Sequence, residues 1–174
     1  MRKKRLLQLT AALLCAVILS ACGGAPADAD YTCTVSISCA TILDNMDQCA
    51  ESKKELVPAD GVILPPTEVA FAEGESAFDV LQRVCRDNGI HLESKFTPVY
   101  NSAYIQGIHN IYEFDVGKLS GWMYAVNDWF PNYGCSLYQV QDGDVIRWVY
   151  TCDLGADVGG DQAAGDGQQE GAST

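Results

Sequence analysis

Cysteine has the most reactive side chain in this chain of 174 residues, and it occurs eight times. Six of these residues lie within the stretch that has an apolar pattern: Cys33, Cys39, Cys49, Cys85, Cys135 and Cys152. An even number of cysteines outside the cytoplasm favours disulfide bonds. Cys33 and Cys39 cannot bond to each other if they share a strand, because six residues of strand span about 20 Å. Zinc is the less favoured use, since no C-x-x-C spacing occurs.

The first 22 residues indicate export. Basic residues at 2–5 precede an apolar stretch that runs to Leu19, which is the pattern of a secretory leader. The stretch ends in LSAC at residues 19–22, which resembles the lipobox of bacterial lipoproteins. The resemblance implies that residues 1–21 are removed and that a lipid on the Cys22 thiol anchors the chain to the outer face of the cell membrane. A retained membrane-spanning helix is the alternative, but it needs about 20 apolar residues, more than this stretch provides.

The chain that follows the leader is strongly acidic. Without the four basic residues of the leader, seven basic and 23 acidic residues remain, and the net charge is about −16. Such a charge repels phosphate backbones and argues against nucleic acid as a partner. It also keeps open an alternative function as a calcium- or metal-binding module. The D-G-D sequence at 142–144 favours a tight turn over a calcium loop, because the other ligands of such a loop are missing.

The apolar pattern defines a single domain. It covers residues 31–154, between a short tether at 22–30 and a disordered acidic tail at 155–174. Apolar and polar residues alternate over 31–39, which predicts a half-buried strand. The segment at 56–66 contains three prolines and is predicted to be a loop or an edge segment.

One main helix and a mixed sheet are predicted from the rest of the pattern. Ser76 is the predicted N-cap of the helix, Asp79 completes a capping box, and Gly89 ends the helix. Further strands are predicted at 122–126, 136–140 and 145–152, with a tight turn at 142–143 between the last two. The fold class is therefore α+β, with disulfide bonds expected to brace it.

Aromatic side chains are the best candidates for a binding site, since rings bring a large contact area at a small entropic cost. The loop at 127–133 is rich in rings and amides, and a polar and aromatic insertion that contains Tyr100, Asn101 and His109 could line the same mouth. The candidate ligand-binding residues are Tyr104, Trp122, Tyr124, Asn127, Trp129, Phe130 and Tyr133. The alternative is that the rings of the loop fold back as a lid over the core.

Two sequence stretches carry a family resemblance that covers residues 31–154. GWMYAVN at 121–127 and GDVIRWVY at 143–150 resemble the transcobalamin-like C-terminal domain, which occurs in surface lipoproteins of Gram-positive bacteria. The resemblance implies a β-grasp fold of the kind that binds soluble ligands, with a corrinoid-like ligand, and it places Trp148 in the core. Asp128 departs from the family, which usually has glycine there, and this puts the type of the hairpin in question.

The function expected from these features is non-catalytic. No H-E-x-x-H, nucleophile elbow or glycine-rich phosphate loop is present. We expect a membrane-anchored extracellular lipoprotein whose domain binds a soluble small molecule or a surface protein. A calcium or metal module and a purely structural adhesion module are the alternatives, and the oligomeric state is left open.

Overall fold

A computed structural model of the chain describes residues 25, 26 and 28–160. Its helices are the α-helix α1 (Ala77–Asp87) and three 3₁₀ helices (Ala40–Asn45, Glu51–Leu56 and Ala156–Val158). The strands are β1 (Tyr31–Ser38), β2 (Val62–Phe71), β3 (Leu92–Thr97), β4 (Ser102–Ile108), β5 (Ile111–Tyr112), β6 (Gly121–Val126) and β7 (Val145–Thr151). The predicted α+β class with a mixed sheet and one main helix is confirmed.

Parts of the predicted organisation lie outside the described residues. These parts are the leader at 1–21, Cys22 and the end of the tail at 161–174. Within the residues that are described, no helix is long and apolar enough to cross a membrane. The first residues of the predicted tail are ordered, because the Asp157 carboxylate accepts a hydrogen bond from the Cys152 backbone N–H at 2.7 Å and a second from the Thr151 hydroxyl.

The larger sheet has four strands in the order β2-β1-β7-β6. Its central strands β1 and β7 are parallel, and β2 and β6 are antiparallel to their neighbours. The alternation predicted for β1 is confirmed, since Cys33, Val35 and Ile37 are buried. Strand β2 contains Pro65 and Pro66 and lies at the edge of the sheet, where proline is tolerated, and its register with β1 shifts at these two residues.

The capping residues of α1 have the predicted roles. The Asp79 backbone N–H donates to Ser76 Oγ at 3.2 Å, and the Ser76 backbone N–H donates to Asp79 Oδ2 at 2.9 Å. Gly89 follows the helix with a φ of 65°, a left-handed conformation that glycine adopts without steric cost. The helix buries Val80, Leu81 and other apolar side chains, and each large one contributes about 1.5–3 kcal/mol to folding.

The strand predicted at 136–140 is wrong. This segment forms a turn followed by a single bridge between Gln139 and Ser76. Its backbone binds the start of α1 instead of a neighbouring strand: the Ala77 N–H donates to the Tyr138 carbonyl at 2.9 Å, and the Phe78 N–H donates to the Cys135 carbonyl at 3.3 Å. The segment thereby satisfies N–H groups that every helix leaves free in its first turn.

A second, three-stranded sheet was not predicted. Its order is β3-β4-β5, and all its pairs are antiparallel. It occupies the stretch that the sequence assigns to a polar and aromatic insertion. His109 and Asn110, with φ values of 57° and 60°, form the two-residue turn between β4 and β5.

The core of the larger sheet contains two aromatic pairs between β6 and β7. Trp148 is 2% exposed, which confirms its predicted place in the core. Trp122 packs edge-on against Tyr150 with ring centroids 5.3 Å apart, and Tyr124 stacks on Trp148 at 5.4 Å. Trp122 and Tyr124 therefore lie on the buried face of β6, a question that the sequence leaves open.

Disulfide bracing is not found among the described residues. All six cysteines there are free thiols, and five of them are buried. Burial raises the pKa of Cys33, Cys39, Cys85 and Cys135 to about 12, so these side chains behave as small neutral core residues. Cys135, for example, donates a weak hydrogen bond to the Ala103 carbonyl at 3.6 Å.

Candidate functional site

An aromatic groove lies between β4, β6 and the loop at 131–135. Its outer part is a cleft of about 310 Å³. Its inner part is a cleft of about 190 Å³. The two parts adjoin, since they share four lining residues: Ala103, Tyr104, Pro131 and Gly134. We call the two together the aromatic groove.

The β3–β4 hairpin forms the first wall of the groove and carries Tyr100 and Tyr104. The hairpin tip turns at Asn101, which has a φ of 47°. Tyr100 is 73% exposed, and Tyr104 is 44% exposed. The Tyr104 hydroxyl donates to Glu113 Oε2 at 2.6 Å, which fixes the ring at the mouth of the groove.

The loop at 131–135 forms the opposite wall and carries Asn132 and Tyr133. Two contacts hold it in place: the Tyr124 hydroxyl donates to the Tyr133 carbonyl at 2.9 Å, and the hydroxyls of Ser102 and Ser136 lie 2.8 Å apart. Gly134 is required for this approach, since a Cβ at that position would lie 1.8 Å from Ser102 Oγ. The wall is thus set by close packing against β4.

The aromatic residues of β6 and β7 form the floor. Trp122, Tyr124 and Trp148 all line the inner part of the groove. Trp122 Nε1 donates to the Ile111 carbonyl at 2.8 Å, which ties β6 to the second sheet. The floor is therefore made of the same rings that fill the core beneath it.

The groove is electrically neutral at its lining. Its described lining residues include no Asp, Glu, Lys, Arg or His. Burial, and then the hydrogen bond to Glu113, raise the pKa of Tyr104 to about 12, and burial raises the pKa of Tyr124. The tyrosines therefore remain protonated at neutral pH. Two charged residues of opposite sign adjoin Tyr104: Lys95 pairs with it across the strands, and Glu113 accepts a hydrogen bond from its hydroxyl.

Four of the seven predicted binding residues meet in the groove: Tyr104, Trp122, Tyr124 and Tyr133. Phe130 is buried, so this one ring of the loop folds back over the core, as the alternative interpretation expects. Trp129 lies half-buried beside the groove, with its ring 5.9 Å from that of Tyr133. The loop is thus divided between core and groove.

The Asn127 side chain makes hydrogen bonds within the fold and does not line the groove. Its side-chain Nδ2 donates to Asp144 Oδ1 at 2.8 Å, and its Oδ1 accepts from the Val145 N–H at 2.9 Å. Asn127 and Asp128 have φ values of 51° and 67° and form a two-residue turn closed by Val126 and Trp129. Asp128 therefore adopts the left-handed conformation despite replacing glycine, and it pairs with Arg147 at 2.9 Å.

Metal ligands do not converge in the part of the chain that the structure describes, where no group of three or more His, Cys, Asp or Glu side chains could hold an ion. The carboxylates of the D-G-D sequence are used internally. Asp142 Oδ1 accepts from the Thr32 N–H at 2.9 Å, and Asp144 Oδ2 accepts from Tyr138 and from the Gln141 N–H at 2.8 Å. These bonds form a tight turn, as the sequence predicts, although this turn does not join two strands.

The chain has a transcobalamin-like fold. It is similar to haptocorrin, which was solved in complex with Cbi, with 13% identity and a TM-score of 0.53 over 71% of this chain. The likeness covers 25% of the haptocorrin chain and, at this identity, concerns the fold alone.

Residues 74–152, which include α1 and most of the groove, match the model of a domain of unknown function, DUF4430. A putative metal binding protein from Ruminococcus gnavus ATCC 29149 has 15% identity and a TM-score of 0.42, over 70% of this chain and 97% of that chain. No curated protein is a significant match.

Proposed function

We propose that the chain is a lipoprotein, anchored through Cys22 to the outer face of a bacterial cell membrane, and that its domain binds a soluble small molecule in the aromatic groove without catalysis. The anchor is supported by the basic and apolar leader and by the LSAC sequence at 19–22. The aromatic groove, with rings exposed at its mouth, is the observation that carries the binding proposal.

The size and lining of the groove suit a small molecule. Its outer part alone, at about 310 Å³, reaches the lower end of the usual range for ligand sites, which is about 300–1,000 Å³. Exposed rings such as Tyr100 cost free energy in water, and a ligand that covers them recovers part of that cost. Tyrosine and tryptophan also lose little conformational entropy on binding.

The groove offers no nucleophile with a base to activate it. Cys135 is the one thiol in its lining, and burial raises its pKa to about 12. Ser102 bonds to Ser136, and neither has a histidine or carboxylate partner among its hydrogen bonds. Nucleophilic and acid–base catalysis require such partners, so these groups support binding alone.

A corrinoid is the first ligand to test. The transcobalamin-like resemblance implies it, and the fold supports the comparison. The chain matches only 25% of haptocorrin, so a single groove of this size would cover one face of a flat macrocycle. A surface protein is the alternative occupant of the groove.

Binding is tested with residues 23–174 produced as a soluble protein. Dicyanocobinamide and N-acetylglucosamine serve as uncharged probes, measured by calorimetry. Tyr104→Ala and Tyr133→Ala should each weaken binding about tenfold or more, since each removes a ring from the mouth. Tyr31→Ala is the matched control, because Tyr31 is 38% exposed and does not line the groove. An equal loss in the control, or no binding of either probe, would count against the groove.

The anchor is tested separately in a bacterial host that expresses the full chain. We expect the protein in the membrane fraction, and mass spectrometry of its first peptide should show a lipid on Cys22. Cys22→Ser should leave the leader uncleaved or release the domain. Unmodified Cys22 in the membrane-associated protein would exclude lipid anchoring.

A further inference from the structure

One buried donor in the aromatic groove lacks a partner. Trp148 is 2% exposed and lines the inner part of the groove, and its indole Nε1 has no hydrogen-bond acceptor among the described residues. A buried unpaired donor costs about 1–3 kcal/mol, so native proteins contain few. Arg147 Nε is also unpaired, but its guanidinium is partly exposed and pairs with Asp128.

The neighbouring aromatic groups show that this region can satisfy its donors. Trp122 Nε1 donates to the Ile111 carbonyl at 2.8 Å. The Tyr124 hydroxyl donates to the Tyr133 carbonyl at 2.9 Å, and the Tyr150 hydroxyl donates to the Tyr112 carbonyl at 2.7 Å. Trp148 differs from these residues because its donor has no acceptor in the described part of the chain. It also lies at the floor of the groove.

We propose that Trp148 determines ligand specificity, by donating its indole N–H to an oxygen acceptor of an uncharged ligand bound in the inner part of the groove. This inference rests on the proposed function of the groove and adds the chemistry of the ligand. An amide, carbonyl or hydroxyl oxygen would satisfy the donor, whereas an apolar ligand would leave it unpaired.

The other aromatic donors that line the inner part are already used. Trp122 Nε1 donates to the Ile111 carbonyl, and the hydroxyls of Tyr104 and Tyr124 donate to Glu113 and to the Tyr133 carbonyl. Indole is a donor only, so Trp148 can pair with an acceptor and with nothing else. Its nitrogen is closed to water in this structure, so an acceptor reaches it only after a local rearrangement of the groove.

The charge of the site favours an uncharged ligand. The lining supplies no ion to pair with a charged group. The whole chain has a net charge of −12, which repels anions, and the loss of water around a charged ligand would be uncompensated. A ligand that carries neutral amides therefore fits better than its carboxylate analogue.

The first test compares Trp148→Phe with Trp122→Phe in urea unfolding of the soluble protein. Both changes remove an indole N–H and shrink a buried ring, so the shared cost of lost volume cancels. Trp122→Phe also leaves the Ile111 carbonyl unpaired, and its unfolding midpoint should fall further than that of Trp148→Phe. Equal midpoints would show that the Trp148 N–H has an internal partner, and this result would overturn the proposal.

The second test measures binding of dicyanocobinamide and N-acetylglucosamine. Trp148→Phe should weaken binding of whichever probe binds by about three- to tenfold, the range for one neutral hydrogen bond, whereas Tyr31→Ala, outside the groove, should leave its affinity within about twofold. In ¹H–¹⁵N spectra, the Trp148 indole N–H signal should move downfield when the probe binds.

The outcomes separate the two proposals. If neither probe binds, the proposed function and this inference both fail. If a probe binds and Tyr104→Ala weakens it while Trp148→Phe does not, the groove stands and the role of Trp148 is excluded. Cobyrinic acid, with carboxylates in place of the corrinoid amides, should bind at least tenfold more weakly than dicyanocobinamide, and equal binding would contradict an uncharged ligand class.

Discussion

The four-stranded sheet and strand β3 of the second sheet use their side chains in opposite ways. In the four-stranded sheet, Val35, Ile37 and Ile146 are fully buried, and residues on one face alternate with polar neighbours. In the three-stranded sheet, the middle of β3 is exposed on both faces, and Phe96 is 59% exposed. The larger sheet therefore supplies folding free energy, whereas β3 presents side chains to the solvent. The other two strands of the second sheet, β4 and β5, bury Ile105, Ile108 and Ile111.

This difference in burial indicates which residues of such a fold are available to bind a ligand. A residue that is essential to packing cannot be changed without loss of stability, whereas an exposed ring is free to contact a ligand. The aromatic groove lies where the two sheets meet, so its floor belongs to the stable region and its mouth belongs to the exposed one. Substitutions in one region or the other test whether the two regions differ in this way.

The largest expected effect is in the core of the first sheet. Ile146→Ala removes a fully buried side chain and should lower the free energy of unfolding by about 2–5 kcal/mol. Phe96→Ala in β3 should change it by no more than about 0.5 kcal/mol, because that ring is mostly exposed. Urea unfolding followed by tryptophan fluorescence measures both. Similar losses would show that the two sheets contribute alike and would break the comparison.

A smaller effect is expected at the junction of the two regions. Gly134→Ala should destabilise the protein by about 1–3 kcal/mol, because the new Cβ would overlap the Ser102 side chain. The same change should weaken ligand binding, since it displaces the loop wall. Combining it with Ser102→Gly should recover part of the stability. A Gly134→Ala protein of unchanged stability would show that the wall is loosely packed.

The helix cap should have a still smaller effect. Ser76→Ala removes the side chain that accepts from the Asp79 N–H, and we expect a loss of about 1 kcal/mol in thermal or urea unfolding. Ser94→Ala on exposed β3 is the control and should be neutral. A loss at Ser94 as large as that at Ser76 would mean that the second sheet is more than a presenting surface.

The smallest expected effect is a difference between the alkylation rates of two buried thiols, Cys85 and Cys135. Burial raises the pKa of both Cys85 and Cys135 to about 12, so at pH 8 each thiolate is rare and reacts slowly with iodoacetamide. When the pH is raised, the rate should rise about tenfold per pH unit as long as the pH stays below that pKa, because the thiolate fraction rises by the same factor. Cys135 belongs to the groove wall and should react faster than Cys85 on the helix. Peptide mass spectrometry measures both alkylation rates, and equal rates would show that the groove wall is as rigid as the helix.

The sequence predicted those elements whose pattern is one-sided. Strand β1, helix α1 and strand β7 each bury one face, and Ser76, Asp79 and Gly89 mark the ends of the helix by local chemistry. The second sheet escaped prediction because β3 buries neither face and therefore has no alternation to detect. The positive φ values of Asn101, His109 and Asn110 show that its turns use residues that signal less clearly than glycine.

The strand predicted at 136–140 is wrong for a different reason. Its alternating residues resemble a strand, but its carbonyls bind the first N–H groups of α1. That choice depends on where the helix begins in space, which local sequence does not encode. Similarly, residue type alone did not separate Tyr133, at the groove, from Phe130 and Asn127, whose side chains are committed elsewhere. Tertiary contacts decide which side of a loop each ring occupies.

The parallel pairing of β1 with β7 has a consequence for how the domain forms. Thr34 pairs with Val145 and Ser38 pairs with Val149, so the centre of the larger sheet joins the first strand to the last. Loops of this length are slow to close, and folding rates fall as contacting residues lie farther apart in sequence. The sheet cannot close until nearly the whole domain has been synthesised. A chain truncated before β7 would lose the strand that joins β1 to β6, and with it Trp148 of the groove floor.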